Sequence, residues 1–249
     1  MFRLIFVVIY LVICAVLMIP IGLAAVTIGI FSLPVRDKIV KVALDVVFGG
    51  INLISGAKAT FIGLEKIPKD KAVLYVANHL GFFDVLLLAP KLPAITGYVA
   101  KQSFKKIPVM AQCMKLTHSF FLDRDDIKQG LKVILAAIEQ VKSGISVFIF
   151  PEGTRSRDGK MAEFKEGSMK IATKSGCPIV PIAISNTAQI FENHFPLLEP
   201  ANVIIEVLDP LDPNDFDKTE QKHLGKYCHD MIEEAKKKND EEIFALSVK

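Results

Sequence analysis

The sequence predicts an α/β fold with a largely parallel sheet flanked by helices, preceded by an N-terminal hydrophobic helical anchor. Two observations carry this prediction. Residues 4–33 hold no charged side chain. After residue 45, short runs rich in Val, Ile and Phe alternate with segments of helical periodicity, a pattern typical of strand–helix–strand units. With 249 residues, 51% of them apolar, the chain is long enough to bury the core of one such domain.

The charge-free run predicts a membrane anchor over residues 1–45, with the α/β domain over residues 46–249. At 30 residues the run exceeds the ~20 that a helix needs to cross a bilayer. A signal peptide would hold an apolar region of only about 7–15 residues. Pro20 interrupts the run near its middle, so two arrangements stay open. One is a single membrane span, and the other is a re-entrant hairpin of two helices near Leu4–Ile19 and Ile21–Phe31.

Seven apolar runs in the second segment predict the strands of the sheet. Between the fourth and fifth runs, residues 126–143 repeat apolar side chains at helical spacing, with an aspartate at the start and Gly144 at the end. Residues 218–242 predict an amphipathic surface helix. The predicted strands are Ala59–Gly63, Val73–Ala77, Ile95–Ala100, Ser119–Leu122, Ser146–Phe150, Ile179–Ile184 and Val203–Leu208.

Composition and charge exclude some classes of function and indicate a cellular compartment. The net charge of +3 is small for a general nucleic-acid binder, so no nucleic-acid partner is expected. The four cysteines show neither a CxxC pair nor metal-ligand spacing, so they are interpreted as core thiols in a reducing compartment. No Asn-x-Ser/Thr sequon is present, which favours the cytoplasmic side.

A histidine and an aspartate follow the second predicted strand, in the segment Asn78–Asp84. Five positions on one helix correspond to a rotation of ~140°, so the two side chains cannot share a helix face. They can meet if His79 lies in the loop and Asp84 in the first turn of the next helix. Asp84 would then fix the imidazole tautomer and leave the other ring nitrogen as a base. The alternative is a lone loop histidine with an aspartate nearby by chance.

A second loop, Phe150–Ser156, follows the fifth predicted strand. Its proline and glycine predict a tight turn with exposed backbone N–H groups, and Arg155 offers a planar fork suited to a phosphate. The phosphate loop of an NTPase is the competing interpretation. However, the glycines are one residue too far apart, and Met161 replaces the required Ser or Thr. The sequence also lacks the Gly-x-Ser-x-Gly motif of a serine hydrolase.

Two further segments carry weaker signals. Phe121–Arg124 ends a strand with a carboxylate and a guanidinium, for which an ion pair across a loop is the simpler explanation. Ile179–Ile184 is an apolar strand that contains a proline, which indicates only a core or an edge strand. Neither segment assigns a function by itself.

In this order, the four segments resemble the four motifs of the glycerolipid acyltransferase family. The resemblance covers roughly residues 55–210, and its first and third motifs are the specific ones. Residues 100–108 also resemble the family's segment before the second motif. The resemblance implies that His79 is a base oriented by Asp84. It also implies a set of residues that bind the acceptor: Lys101, Arg124, Glu152, Gly153, Thr154 and Arg155.

The resemblance further implies the substrates. A fatty acyl group would pass from acyl-CoA or acyl-carrier protein to the sn-2 hydroxyl of 1-acylglycerol 3-phosphate (lysophosphatidic acid), giving phosphatidic acid in phospholipid biosynthesis. No cofactor and no metal are expected. Because a thioester is already activated, a base is sufficient and no Ser or Cys nucleophile is needed. Glu152 is expected to orient the acceptor hydroxyls or the arginines. The expected location is a membrane, the bacterial inner membrane, with the site at its cytoplasmic face.

Two positions depart from the family pattern, and three alternative functions stay open. Ala111 and His118 stand where glycine is common, and His118 is interpreted as a structural histidine and not as a second base. The acceptor could be another lyso-lipid, such as a lyso-ornithine lipid or a lysophospholipid. A thioesterase would use water in place of the lipid hydroxyl. A non-enzymatic lipid-binding protein on the same fold would not need the His79 and Asp84 pair.

Overall fold

The computed structural model describes residues 2–123, 126–156 and 159–247. The chain forms two compact units, each assembled from three stretches of sequence. The chain passes from one unit to the other after Leu80, inside the segment that was predicted to carry a base. The first unit comprises residues 1–59, 81–95 and 186–203, and the second comprises residues 60–80, 96–185 and 204–249.

The first unit is helical. Helix α1 (Phe2–Phe31) is unbroken and contains Pro20, and α2 (Leu33–Ser55) begins after Ser32, which is extended. The first helix therefore ends just before residue 32 and not at Pro20. Two shorter helices that meet near Pro20, one of the two open arrangements, are not observed. Pro34 lies in the first turn of α2 and has no N–H with which to continue the ladder of α1.

Helix α2 contacts both α1 and a third helix, α3 (Phe82–Leu88). The Tyr10 hydroxyl on α1 donates a hydrogen bond to the Val46 carbonyl on α2 at 2.9 Å. Gly50 leaves room for that tyrosine, since a Cβ there would lie 2.2 Å from its ring. Further along α2, the Asn52 amide donates to a backbone carbonyl of α3 at 2.7 Å. Helix α2 is thus fixed to its two neighbours by polar as well as apolar contacts.

A seven-stranded sheet has the order β1-β7-β6-β2-β5-β3-β4. Strand β2 is parallel to β5 and β6, β3 is parallel to β5 and β4, and β7 is antiparallel to β6. The largely parallel sheet is therefore confirmed, and each predicted strand is present with its ends within two residues. The strands are β1 Lys58–Ile62, β2 Leu74–Ala77, β3 Gly97–Lys101, β4 Phe120–Leu122, β5 Val147–Ile149, β6 Ile179–Ser185 and β7 Asn202–Val207.

The core of the second unit lies between the sheet and three of its helices. Leu74 and Val76 of β2 are fully buried in one apolar cluster with residues of α5, α6 and α7. On the opposite face, Tyr75 and Phe148 are also buried, and their rings stack at 5.9 Å. This alternation is the period-2 pattern of a buried strand. The helices of this unit are α4 Pro108–Leu116, α5 Ile127–Lys142, α6 Lys170–Ser175 and α7 Leu224–Ser247.

The two helices that were predicted after the fourth and seventh strands differ in how well the local sequence marks their starts. The Asp126 side chain accepts a hydrogen bond from the Gln129 N–H at 3.0 Å and caps α5, as predicted. Helix α7 begins six residues later than predicted, at Leu224. Its first N–H groups are satisfied by Glu166, whose carboxylate accepts from Gly225 at 2.7 Å and from the next residue at 2.9 Å. A cap from 59 residues away leaves no local signal.

All four cysteines are free thiols, and three of them, Cys14, Cys177 and Cys228, are buried. Burial raises the pKa of the Cys228 thiol to about 12. Burial also raises the pKa of the Cys177 thiol. Both thiols therefore stay protonated at neutral pH and behave as small apolar core residues.

Candidate active site

Predicted site residues of the second unit lie at the carboxyl ends of the parallel strands. Strands β2, β5, β3 and β4 are consecutive parallel neighbours, so the chain leaves all four at the same edge of the sheet. His79 follows β2, Glu152 and Arg155 follow β5, and Lys101 is the last residue of β3. The sheet order therefore brings four predicted residues, from three separate segments, to one edge.

The remaining acceptor-binding predictions lie at the same edge or outside the described residues. Arg124 falls outside them, so its role stays a prediction. Lys101 and Thr154 are exposed. Gly153 adopts a φ of 73°, and a Cβ there would lie 2.9 Å from the Lys165 amine. The positive φ favours glycine, and the lysine places a positive charge directly against this turn.

Asn78 fixes the start of the first loop. Its buried amide donates to the Ile184 carbonyl at 2.9 Å and accepts from the Ile184 N–H at 2.8 Å. The side chain thus continues the pairing of β2 with β6 beyond their last ladder residues. These two hydrogen bonds fix the backbone at Asn78, directly after β2. The backbone of His79, the next residue, therefore has a defined position.

The Glu152 carboxylate joins the two loops. It is buried, and its Oε1 accepts a hydrogen bond from the His79 backbone N–H at 2.7 Å. Its Oε2 accepts from the Ser156 hydroxyl at 3.0 Å and from the Ala162 N–H at 2.9 Å. The Ser156 N–H in turn donates to the His79 carbonyl at 2.9 Å. Both backbone polar groups of His79 are therefore bound by the second loop.

The imidazole of His79 stacks on Phe150, the residue just before the second loop's proline. The ring centroids are 4.0 Å apart and the planes differ by 18°. The centroid of the Phe150 ring in turn lies 5.0 Å from that of Phe148 in β5. Stacking on Phe150 therefore fixes the plane in which the two ring nitrogens of His79 lie.

Asp84 belongs to the first unit and lies in the first turn of α3, as predicted. It is fully buried. Its Oδ2 accepts from the Gly81 N–H at 2.9 Å, and its Oδ1 accepts from the Thr187 hydroxyl. These donors hold the carboxylate in one orientation. The pairing of Asp84 with His79 stays a prediction.

Two polar residues that the motifs did not include support this helix start. Thr187, fully buried, donates to Asp84. The Glu192 carboxylate accepts from the Phe82 N–H at 2.8 Å, and Gly81 must be glycine because a Cβ there would lie 2.2 Å from that carboxylate. Thr187 follows the fourth motif by three residues, so extending the search past the strand end would have found it. No local pattern marks Glu192.

Comparisons with known proteins identify relatives of this chain. The profile of the acyltransferase family matches residues 58–185. The 1-acyl-sn-glycerol-3-phosphate acyltransferase of Salmonella typhimurium is 32% identical over 171 residues, covering 68% of this chain and 69% of that protein. A protein of the same name from Chlamydomonas reinhardtii is 38% identical over 63% of this chain, and a chloroplastic one from Brassica napus is 36% identical over 57%. The chain spans about half of the length of these last two relatives, at 48% and 42%.

A solved structure shares the fold over nearly the whole chain. The crystal structure of the 1-acyl-sn-glycerophosphate acyltransferase from Thermotoga maritima superposes with a TM-score of 0.77 at 25% identity. The match covers 95% of this chain and 97% of that one. The similarity therefore includes the N-terminal helices as well as the sheet.

Glu152→Gln tests whether this carboxylate supports the loops. A glutamine has one acceptor oxygen where the carboxylate has two, so one of the three present donors would face an NH₂ group. The free energy of unfolding should fall by about 1–3 kcal/mol, and turnover should fall with it, as measured by chemical denaturation and steady-state kinetics. Glu163→Gln, at an exposed position in the same segment, is the matched control. A variant of unchanged stability that is defective only in acceptor KM would support direct acceptor binding instead.

Thr187→Val removes the hydroxyl that Asp84 accepts while keeping the side-chain volume. A hydrogen bond to a charged group contributes about 1.5–3 kcal/mol, so kcat should fall by roughly tenfold or more if Asp84 acts in the reaction. Thr187→Ser restores the hydroxyl and should recover most of the rate. Equal turnover and equal pH–rate profiles in the valine variant and the wild type would show that Thr187 has no positioning role.

Proposed function

Because this chain belongs to the acyltransferase family, we propose that it transfers a fatty acyl group from acyl-CoA or acyl-carrier protein to the sn-2 hydroxyl of 1-acylglycerol 3-phosphate. The product would be phosphatidic acid. The names of the relatives support the acceptor. A thioester donor is proposed because the candidate site offers a histidine base beside cationic side chains and needs no covalent intermediate.

The observation that carries this proposal is the clamping of His79 by the loop that also carries Arg155. The His79 N–H and carbonyl bind Glu152 and Ser156, and Arg155 lies between these two residues in the chain. A base and a phosphate-binding guanidinium on one hydrogen-bonded assembly can hold the acceptor at two points. A binding module would need the cation but not the base.

In the proposed mechanism, His79 removes the proton from the acceptor hydroxyl. The resulting oxygen attacks the thioester carbonyl carbon, the C–S bond breaks, and the thiolate leaves with the proton returned by the imidazolium. Asp84 would hold the imidazole in the tautomer whose free nitrogen faces the hydroxyl. This aspartate is itself held by Thr187 and Gly81, so no flexible group stands behind the base.

Cations at the carboxyl edge are proposed to bind the acceptor's phosphate. Arg155 would supply a bidentate guanidinium, with Lys165 against the Gly153 turn and Lys101 at the end of β3 adding positive charge. Arg124, which follows β4 in the chain, would complete the set. A phosphomonoester carries up to two negative charges, so several cations at one edge fit it better than they fit a zwitterionic head group.

We further propose that α1 attaches the enzyme to a membrane, the bacterial inner membrane, with the site at the cytoplasmic face. Among the described residues α1 is the helix whose length and apolar composition suit a span, with a mean hydropathy of 3.2. Its large side chains are mostly exposed, among them Phe6 and Leu17 at 58% and Ile30 at 77%. Such a surface is costly in water and favourable in lipid. An N-terminal signal sequence can pass the same test of length and hydropathy, but its apolar region would be shorter, at about 7–15 residues.

The reaction is tested with purified protein, a labelled acyl thioester and a panel of lyso-lipid acceptors. We expect thiol release that depends on 1-acylglycerol 3-phosphate, and His79→Ala should reduce turnover by ~10²–10⁴-fold while leaving the fold intact. His118→Gly is the matched control. His118 has a positive φ of 56°, which glycine adopts at less cost, so this variant should keep both activity and stability.

Three outcomes would contradict the proposal. Thiol release that is independent of any lyso-lipid would indicate a thioesterase. Preference for a lyso-ornithine lipid or a head-group-bearing lysophospholipid would correct the acceptor. A folded His79→Ala variant with near wild-type turnover would remove the histidine from the mechanism.

Arg155→Lys tests the phosphate contact. An ammonium cannot make the two parallel hydrogen bonds of a guanidinium, so the apparent acceptor KM should rise and kcat/KM should fall, with little change in the thioester KM. Arg155→Ala should lose about 2–4 kcal/mol of transition-state stabilisation. Lys174→Gln, an exposed lysine on α6, is the control. A lower melting temperature with equal defects for both substrates would show that Arg155 instead holds the loop together.

A further inference from the structure

Helix α5 is apolar on two faces, and the sheet accounts for only one of them. Val133, Ala137 and Val141 are buried in the core. Ile127, Leu131 and Leu135 are 88%, 56% and 54% exposed. These three residues recur at intervals of four, so they share one side of the helix. We refer to them as the α5 stripe. Three large aliphatic side chains in a row on a water-facing helix indicate a missing apolar partner.

A second exposed apolar group follows β3. Ile107, Val109 and Met110 are 49%, 59% and 38% exposed, and no described residue of α4 is fully buried. Two exposed lysines, Lys105 and Lys106, come directly before them. The segment Lys105–Met110 is therefore basic at its start and apolar at its end, and it presents both parts to the outside.

The fold brings the two groups to the same end of the sheet. Strands β3 and β4 are parallel neighbours at its margin, so the segments that follow them start side by side. A hydrogen bond of 2.8 Å from the Gln129 amide of α5 to the Gln102 oxygen, just after β3, joins the two segments. Lys105–Met110 and the α5 stripe thus belong to one margin of the second unit, which we call the lateral surface.

The positive charge of the lateral surface indicates which kind of partner it binds. Residues 101–135 contain six lysines and one arginine against three aspartates. Lys128 and Lys132 lie exposed on α5 beside the stripe, while the Asp126 carboxylate is engaged in capping that helix. The apolar side chains of the lateral surface are exposed. Exposed aliphatic residues flanked by lysines fit the interface of an anionic bilayer. There the aliphatic side chains insert toward the acyl chains, and the lysine ammonium groups bind the lipid phosphates.

We propose that the lateral surface rests in the head-group region of an anionic membrane, as a contact of the second unit additional to α1. Ile107 and Ile127 enter the acyl boundary, and Lys105 and Lys106 bind lipid phosphates. This contact goes beyond the proposed acyl transfer and does not depend on which lyso-lipid is the acceptor.

The absence of tryptophan from the chain provides a direct test. Ile107→Trp and Ile127→Trp place single fluorophores on the lateral surface of the full-length protein, reconstituted in phosphatidylethanolamine–phosphatidylglycerol vesicles. Tyr227→Trp is the control. Tyr227 is 48% exposed on α7, a helix that contacts β6, and three strands separate β6 from β4. Lipids brominated on their acyl chains should quench the first two tryptophans severalfold more than the third.

Lysine neutralisation provides the second measurement. Lys105→Gln with Lys106→Gln should weaken the local membrane contact by about fivefold for each lysine, seen as lost quenching of the Ile107→Trp fluorophore in anionic vesicles. The pair Lys237→Gln with Lys238→Gln, at exposed positions of α7, should change nothing. Because α1 is present in every variant, overall vesicle binding stays constant and only the local contact is measured. Acyl transfer in detergent should be retained, which separates a failure here from a failure of the proposed reaction.

Three results would overturn the proposal. The first is that aqueous iodide, and not brominated lipid, quenches the Ile107→Trp and Ile127→Trp proteins. The second is equal lipid quenching of all three tryptophans, which would mean that no particular surface is selected. The third is protection from iodide by an acidic acyl-carrier protein in detergent, without lipid quenching, which would assign the lateral surface to a protein partner.

Discussion

A carboxylate removed from water must find donors inside the protein, and the donors available to Glu152 determine the geometry of the candidate site. It accepts from the backbone of His79, from the backbone of Ala162 and from the Ser156 hydroxyl. Leaving such a group unpaired would cost several kcal/mol, so the two loops are obliged to stay together. The proposed base therefore takes its position from a residue 73 positions away in the sequence, and the parallel pairing of β2 with β5 makes that approach possible.

Carboxylates that accept hydrogen bonds from backbone N–H groups also fix the start of α3. Asp84 and Glu192 accept from the Gly81 and Phe82 N–H groups, and both carboxylates lie where the helix dipole favours negative charge. Gly81 has no room for a side chain beside Glu192. Carboxylates that accept hydrogen bonds from backbone N–H groups thus order both parts of the His79–Asp84 segment.

The sequence predicted the strands because each is a short apolar run. It predicted the loop residues because a histidine with an aspartate, and a Pro–Gly turn with an arginine, directly follow two of those runs, in the order of the family's motifs. It could not locate supports that come from far along the chain. Glu166 caps α7 and Glu192 caps α3 across 59 and 110 residues, and no spacing rule marks either. Of the two arrangements left open for the N-terminal run, the structure has one continuous helix, with Pro20 inside α1. A proline inside a helix is costly in water but is tolerated in membrane helices.

Helix α5 contributes to the core and to the proposed membrane contact. Its inner face completes the core, and its cap, Asp126, follows β4 at the edge of the sheet where Lys101 and Arg155 lie. The proposed lipid contact and the proposed acceptor site therefore lie at the same edge of one sheet. An acceptor lipid keeps its acyl chain in the bilayer and its phosphate at the surface, so an enzyme resting there need not extract it. Lys101, proposed to bind the acceptor phosphate, and Lys105, proposed to bind lipid phosphates, lie in consecutive elements of the chain, so the backbone joins the two proposed contacts directly.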